Sequence, residues 1–434
     1  MGRENKVPKR NYFQIKQMNI HYLTDIYFGE KNAGTTHTME IYNNLSKKNE
    51  VHLICQKPQT EIKVENKCYI PLFGTKRLKR TILLNFLFWM IYPLYLLIKK
   101  KPDIFYQRFD GTLFLSPSLV FSKLFNIPLV MEVNGDMLDE ISMRHEPQVY
   151  VKLIKLCEKI YYSNASRIIT VTEGIKQEII RKYGVPEEKI EVIGNGVNTE
   201  IFRPLNKISN LKTKYGLDKK NVVAFAGILV EWQGLKYLVE AAPAILKEEV
   251  ETVFLIIGDG PLKNDLIQKA KDLNIDKKFI FTGFIPHNEM PLYINASDVC
   301  VVPKIPLKSG YSPLKLYEYM ACGKAVIASD VKGFEILNQV KAGILVEPQN
   351  SQKLSEAILQ VLKDKSLKNE MGNRGRNLVL MHYSWGSIAQ KTEKLLANAL
   401  EEKYIGSEHF RASSRLFRAS SKRSRVSSKN LRRK

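Results

Sequence analysis

The feature that most constrains this chain is an alternation of short apolar runs with longer helical patterns, which runs from residue 18 to about 194 and restarts at 221. In the first series MNIHYL (18–23), EVHLIC (50–55), CYIPLF (68–73), DIFYQR (103–108), PLVMEV (128–133), RIITVT (167–172) and KIEVIG (189–194) read as strands. In the second, NVVAFAGIL, TVFLIIG, FIFTG, DVCVVP, KAVIAS and GILV do the same. Helical spacing fills the gaps: TTHTMEIYNNLSKK, a short helix before PLVMEV, stretches near 147–164 and 173–183, and the recurrence of Leu235, Leu238, Val239, Ala242 and Ile245. Short apolar strands separated by longer helices predict parallel sheets covered on both faces. The expected fold class is therefore α/β, with two doubly wound, Rossmann-like domains in tandem and a cleft between them.

VIGNGVNTEIFRPLN, with Gly194, Asn195, Gly196 and Pro204, reads as the linker. The predicted organisation is a polar leader over 1–17, an N-terminal domain over 18–205 and a C-terminal domain over 206–384. A helix over 385–410 is expected to pack back toward the N-terminal domain, and a basic tail over 411–434 closes the chain.

Composition narrows the class. With 434 residues, 44% hydrophobic and 26% charged, the chain is an ordinary globular one rather than disordered or collagen-like. Its net charge of +23 is unevenly spread. Residues 1–210 carry 31 basic and 21 acidic side chains, residues 211–410 carry 26 and 23, and residues 411–434 carry 10 and none. A uniformly basic nucleic-acid-binding surface does not predict that split, and no nucleic-acid partner is expected. The five cysteines are scattered without CxxC spacing, and the N-terminus has no apolar signal core, so a reduced, cytoplasmic setting is expected.

Two segments point toward a membrane. TILLNFLFWMIYPLYLLI (81–98) is uncharged and bracketed by KRLKR and KKK. Asn85, Pro93 and the strand that follows argue against a span. The segment is predicted as a sheet-packing helix, and its basic flanks suit an anionic headgroup region. The tail repeats Arg-Ala-Ser-Ser, Arg-Ala-Ser-Ser and Arg-Val-Ser-Ser every seven residues, is predicted disordered, and is a candidate second tether. Peripheral association with the inner face of a membrane, through 76–101 and the tail, is the resulting expectation.

The stretch richest in chemistry is DVCVVPKIPLKSGYSPLKLYEYMACGKAVIAS (298–329). After a strand ending at Val302, Ser312-Pro313 is expected to start a helix, with Ser312 as its cap and Pro313 as its first residue. A helix N-terminus at the carboxyl end of a parallel strand is suited to phosphate. Lys304, Lys308 and Lys315 surround it, and Glu318 shares a helical face with Lys315, where its carboxylate could accept from sugar hydroxyls. The same spacing fits a simple Lys315–Glu318 surface pair, and spacing alone does not separate the two.

Across residues ~165–400 the chain resembles the family 4 (group 1) glycosyltransferases of the GT-B fold. The resemblance is carried by VTEGIKQEIIRKYGVPEEKIEVIGNGVNTEIFRP, FAGILVEWQGLKYLVEA, FLIIGDGPLKNDL, FTGFIPHNEMPLYINASDVCVVP and SPLKLYEYMACGKAVIAS, in that order. NAGTTHTMEIYNNLSKKNEVHLI and PLVMEVNG extend it more loosely into the first half. It implies a nucleotide-sugar donor held mainly by the C-terminal domain and a carbohydrate or lipid-linked acceptor held mainly by the N-terminal domain. Transfer with retention of anomeric configuration, without metal or cofactor, is also implied; the chain contains no Asp-x-Asp.

Carried over residue by residue, Glu318 matches the second Glu of the family's Glu-x7-Glu motif, which holds the nucleotide ribose. The first would fall at Gly310, and the family's Arg and Lys of Gly-Arg-x4-Lys-Gly would fall at Ile228 and Gln233; all three are replaced here. Lys315, the amides after Ser312 including that of Leu314, and Lys304 or Lys308 are the expected substitutes. The Ser-Pro-x-Lys-x-x-Glu-Tyr-Met-Ala form resembles a branch found in polysaccharide and lipid-linked oligosaccharide pathways.

Further donor-side candidates are Gly34 and Thr35 in GEKNAGTTH, Gly227, and the Gly258-Asp259-Gly260 turn. Each is also compatible with an ordinary turn. On the acceptor side the candidates are His37, Glu132, Asn134 and Asp136, for which a helix-face residue and loop capping are the alternatives. Two other functions fit the same features: a nucleotide-sugar epimerase of this fold, and a non-catalytic basic membrane- or RNA-binding protein.

Overall fold

The computed structural model describes residues 17–24, 33–56, 64, 67–70, 94, 101–109, 117–135, 148–307 and 310–404. The leader through residue 16, nearly all of 81–98, Lys308, Asp136 and the 411–434 tail lie outside these residues.

The strands of the first sheet are β1 (Asn19–Leu23), β2 (Glu50–Gln56), β3 (Lys67–Ile70), β4 (Ile104–Phe109), β5 (Leu129–Val133), β6 (Arg167–Thr170) and β7 (Ile190–Val192). Those of the second are β8 (Asn221–Ala226), β9 (Thr252–Ile257), β10 (Phe279–Phe281), β11 (Val299–Val302), β12 (Ala325–Ser329) and β13 (Gly343–Val346). Their spatial orders are β3-β2-β1-β4-β5-β6-β7 and β10-β9-β8-β11-β12-β13. β1 pairs in parallel with β2 and β4, and β2 with β3. All five pairings of the second sheet are parallel. Each expected strand has a counterpart, with ends shifted by a few residues; the last three residues of the expected CYIPLF strand, 71–73, lie outside the described residues.

Both sheets are doubly wound. The chain works outward from a central strand, then returns to build the other side, so the order reverses between β1 and β4 and again between β8 and β11. In such sheets ligands bind beyond the carboxyl ends of the strands at the reversal.

Packing divides the described chain into two compact units. One comprises the residues through Glu132, 148–168 and those from Thr392; the other comprises 133–135 and 169–391. In the second unit, alternate residues of each strand feed opposite cores. Ala224, Leu255, Cys300 and Val326 join one apolar cluster, whereas Val223, Phe254, Val301 and Ile327 join the other. That is the two-sided burial expected of a parallel sheet.

In the first unit, β5 is buried throughout, and Ile20, Tyr22, Phe105 and Tyr106 line the neighbouring strands. A helix spans 385–404. From its later turns, Glu393 accepts from Asn49 at 2.7 Å and Glu402 pairs with Arg167. Among the described residues no helix is long and apolar enough to cross a membrane.

Candidate functional site

The second unit gathers its polar groups where the strand order reverses. The loop after β8 runs Gly227-Ile228-Leu229-Val230 into a short turn at Glu231–Gln233. The loop after β11 carries Lys304, and the two loops are tied by Ile305 donating from its amide to the Trp232 carbonyl at 3.2 Å. The helix Leu314–Ala321 follows and is anchored to the end of β8, where the Ala226 amide donates to the Tyr319 hydroxyl at 2.7 Å. One turn earlier on that helix, Lys315 reaches back over β8. Its Nζ donates to Gln233 Oε1 at 2.8 Å and sits 4.3 Å from the Phe225 ring centroid.

Lys304 Nζ lies 4.0 Å over the Tyr311 ring, whose hydroxyl donates to the Ile305 carbonyl at 2.6 Å. Among the described residues neither lysine has an ion-pair partner. Burial pushes the Lys304 ammonium down to about 8. Burial, and then the charge of Lys304, hold Lys315 well below the ordinary lysine value, with Glu318 pulling weakly the other way. Two partly buried cations, with an amide oxygen and aromatic faces as their closest described contacts and Glu318 as a weaker, more distant influence on Lys315, make a site that gains from an anion.

Gly227 is what admits Lys315. Its φ is +145°, and a Cβ there would come 2.2 Å from the Lys315 Nζ. The replacement at Gly310 also has a physical basis. At φ +72°, with a Cβ position 2.9 Å from both Cβ and carbonyl oxygen of Lys332, the site cannot take a glutamate without moving its neighbour. The Lys315–Gln233 bond gives Gln233 its place here: its amide oxygen accepts from the helix lysine, where an ammonium would repel it. Ile228 is exposed.

One expectation is corrected. Ser312 does not cap the helix: the position before Leu314 is Pro313, no side chain caps it, and the Ser312 hydroxyl accepts from Asn195 Nδ2 at 2.5 Å. A tertiary partner 117 positions away has taken the group that a local reading assigns to the helix. The amides of Leu314 and Lys315 still precede the first intrahelical bond, from the Tyr317 amide to the Pro313 carbonyl.

Glu318 does not pair with Lys315. Its Oε1 lies 2.8 Å from His287 Nε2, and that imidazole packs 5.0 Å from the Phe202 ring. Gly258 and Gly260 follow β9; Asp259 Oδ1 accepts from the Gly260 amide, and Gly258 bridges to Gly283. A cavity of about 750 Å³ in the same unit adjoins this region, walled by Gly310, Tyr311, Pro313 and Tyr317 on one side and by Thr172 and Glu173 on another.

The first unit has its own polar cluster, again at the strand reversal. His37, in the helix Ala33–Leu45, places Nε2 2.6 Å from Glu132 Oε1 on β5. Arg108 Nη1, on β4, lies 3.6 Å from the same oxygen, and the Tyr106 hydroxyl donates to Glu132 Oε2. Burial, the largest single influence on Glu132, raises its pKa; His37, Arg108 and Tyr106 together outweigh it and bring the carboxyl down to about 2. Glu132 is therefore a buried anion held by a hydrogen bond from the Tyr106 hydroxyl and by ion-pair contacts with His37 and Arg108. Gly34 and Thr35 start the same helix, and Asn134 follows β5.

Sequence reasoning named His37 and Glu132 but not Arg108 or Tyr106. The available signal was a charged residue, Arg108, in a strand otherwise free of charge. His287, Asn195 and the partnership of Gln233 with Lys315 carried no local signal.

Two doubly wound parallel sheets, the second with a pair of partly buried lysines at its strand reversal, define a Rossmann-like α/β protein of the GT-B class. Residues 207–378 match the family described as glycosyl transferases group 1, and residues 34–201 match glycosyltransferase family 4. The UDP-Gal:alpha-D-GlcNAc-diphosphoundecaprenol alpha-1,3-galactosyltransferase of Escherichia coli is 30% identical over 310 residues, which are 70% of this chain and 76% of that protein. The uncharacterized glycosyltransferase MJ1607 of Methanocaldococcus jannaschii is 29% identical over 257 residues, 58% of this chain and 64% of that protein. Among solved structures, Anabaena Alr3699/HepE in complex with UDP superposes with a TM-score of 0.67 at 18% identity, covering 88% of this chain and 100% of that one. The chain belongs to the group 1, family 4 glycosyltransferases.

Proposed function

We propose that this protein moves a glycosyl group from a nucleoside-diphosphate sugar to an acceptor hydroxyl, with retention of anomeric configuration and without a metal ion. The observation that carries the reading is the pair Lys304 and Lys315, partly buried at the strand reversal of the second sheet and, among the described residues, without an ion-pair partner. A donor diphosphate supplies the missing anion. As the bond from the anomeric carbon to the diphosphate breaks, negative charge builds on the leaving oxygen, and both ammonium groups and the amides of Leu314 and Lys315 stabilise it. The acceptor oxygen bonds to that carbon on the face the diphosphate leaves, and the departing phosphate oxygen takes the hydroxyl proton.

Glu318 accepts from the ribose hydroxyls, with His287 orienting its carboxylate. Within the second unit, Gly227, Gly258 and Gly260 are the positions where backbone would line the donor; the family resemblance adds Gly34, Thr35 and Lys308 as donor-side candidates. His37, Glu132, Asn134 and Asp136 serve the acceptor. The Escherichia coli relative's name specifies a UDP-sugar donor and a diphosphoundecaprenol acceptor, which supports a nucleotide sugar and a lipid-linked or carbohydrate acceptor here. Such an acceptor fits peripheral attachment at the inner face of a membrane.

The test is release of nucleoside diphosphate from a panel of nucleotide sugars, with and without membrane extract. The reading predicts release from one donor that depends on the extract, and a product whose anomeric proton coupling matches the donor's. Turnover without any acceptor favours an epimerase, and inversion of the coupling removes the retaining assignment.

A further inference from the structure

The helix Gln148–Asn164 of the first unit is apolar on two opposite faces. Its inner face is built from Ile154, Tyr161 and Tyr162, all at most 2% exposed. On the far side Val149, Leu153, Leu156 and Ile160 are 78%, 44%, 55% and 40% exposed. Their spacing of four, three and four residues places them, at ~100° per residue, within a stripe roughly 60° wide. A helix that packs one apolar face into a core and leaves a second apolar stripe exposed on the opposite side offers that stripe to another apolar phase.

The charges identify the phase. Lys152, Lys155 and Lys159 are all exposed and recur along one flank of the stripe, whereas the one acidic residue of the helix, Glu158, is turned inward at 4% exposure. Cationic heads beside an aliphatic ridge, with no exposed carboxylate on the same helix, are complementary to anionic headgroups over acyl chains. A protein partner would ordinarily be met by mixed charges at the rim.

We infer that the outer face of Gln148–Asn164 is a docking surface for an anionic lipid bilayer, with Val149, Leu153, Leu156 and Ile160 entering the headgroup–acyl boundary and the three lysines meeting lipid phosphates. Its residues are distinct in sequence from 76–101 and from the tail, and the inference does not depend on the transferase reading.

The experiment is co-sedimentation of the full chain with vesicles containing phosphatidylglycerol, against pure phosphatidylcholine, with no donor or acceptor present. The wild type should bind the anionic vesicles preferentially. L153S/L156S should lose at least roughly tenfold in partition. K152Q/K155Q/K159Q should lose roughly fivefold per lysine, and most of its sensitivity to salt. F284S removes a comparably exposed aromatic from the second unit and should change nothing. Far-UV circular dichroism confirms that each variant is folded, which exposed positions should permit.

Wild-type binding that L153S/L156S does not weaken overturns the inference, as does equal binding to neutral and anionic vesicles. So does concentration-dependent self-association by analytical ultracentrifugation that L153S/L156S abolishes while vesicle binding is absent, which would make the stripe an interface between copies. Because no sugar chemistry is measured, failure here leaves the transferase reading standing, and the reverse also holds.

Discussion

Replacing Lys304 by methionine should make the protein more stable and a worse binder of its donor. The side chain keeps its length and apolar stem but loses a charge that the fold disfavours. Burial lowers the ammonium from 10.5 to about 8, and at 1.36 kcal/mol per pKa unit that corresponds to about 3 kcal/mol against the charged form at neutral pH. The contact with the Tyr311 ring, at 4.0 Å, returns roughly 1 kcal/mol to the wild type. The net gain for Lys304→Met is therefore about 1–2 kcal/mol.

Its pH dependence is distinctive. Below pH 8 the lysine is protonated folded and unfolded, so the wild type bears the full penalty. Between about 8 and 10.5 the unfolded chain binds more protons than the folded one, wild-type stability rises, and the variant's advantage fades. Losing one charge-assisted contact to a diphosphate, worth about 1.5–3 kcal/mol, should weaken binding roughly 10- to 150-fold. Urea unfolding at pH 7 and pH 10, with calorimetry using a panel of nucleoside diphosphates, measures both effects. A variant that is less stable at both pH values and binds diphosphate as tightly as the wild type would falsify the account of this lysine.

Other outcomes follow from the same geometry. Glu318→Ala should raise the donor KM at least roughly tenfold with a smaller effect on kcat, and His287→Ala should do so more weakly; unchanged donor binding by calorimetry removes Glu318 from the ribose. Gly227→Ala puts a Cβ where Lys315 Nζ now sits, at a φ of +145°, so it should displace the ammonium and cost about 1–3 kcal/mol of stability. Retained affinity and stability in that variant would show that Lys315 acts from elsewhere. The depressed carboxyl of Glu132 contributes stability that is present above about pH 4.5 and lost as pH falls toward 2. Glu132→Gln should lower stability at pH 7 by on the order of 3 kcal/mol and flatten that part of the acid-unfolding curve, which a matched wild-type titration checks.

The fold was legible because a parallel sheet covered on both faces leaves a strong trace: β8, β9, β11 and β12 are continuous apolar runs bounded by Gly, Pro or charged residues. Lys315 and Glu318 were singled out because a helix following a strand's carboxyl end carries its polar residues toward the strand reversal, and the family resemblance added a role for Glu318. What local reading missed was which partner each group would find. Ser312 has the chemistry of a cap, yet Asn195 holds its hydroxyl. The Lys315–Glu318 spacing fits a pair, yet Gln233 and His287 take the two ends. The Glu132 cluster joins a helix and two strands from well-separated parts of the sequence, so only Arg108, the one charge in its strand, hinted at it.

The central claim, that partly buried lysines at the reversal of the second sheet hold and stabilise a donor diphosphate, is tested most directly by nucleoside diphosphate release from the donor panel with membrane extract, comparing wild type with Lys315→Met. The account predicts extract-dependent release from one donor by the wild type and its loss, together with diphosphate affinity, in a folded variant. Equal release and equal affinity in both proteins would contradict it.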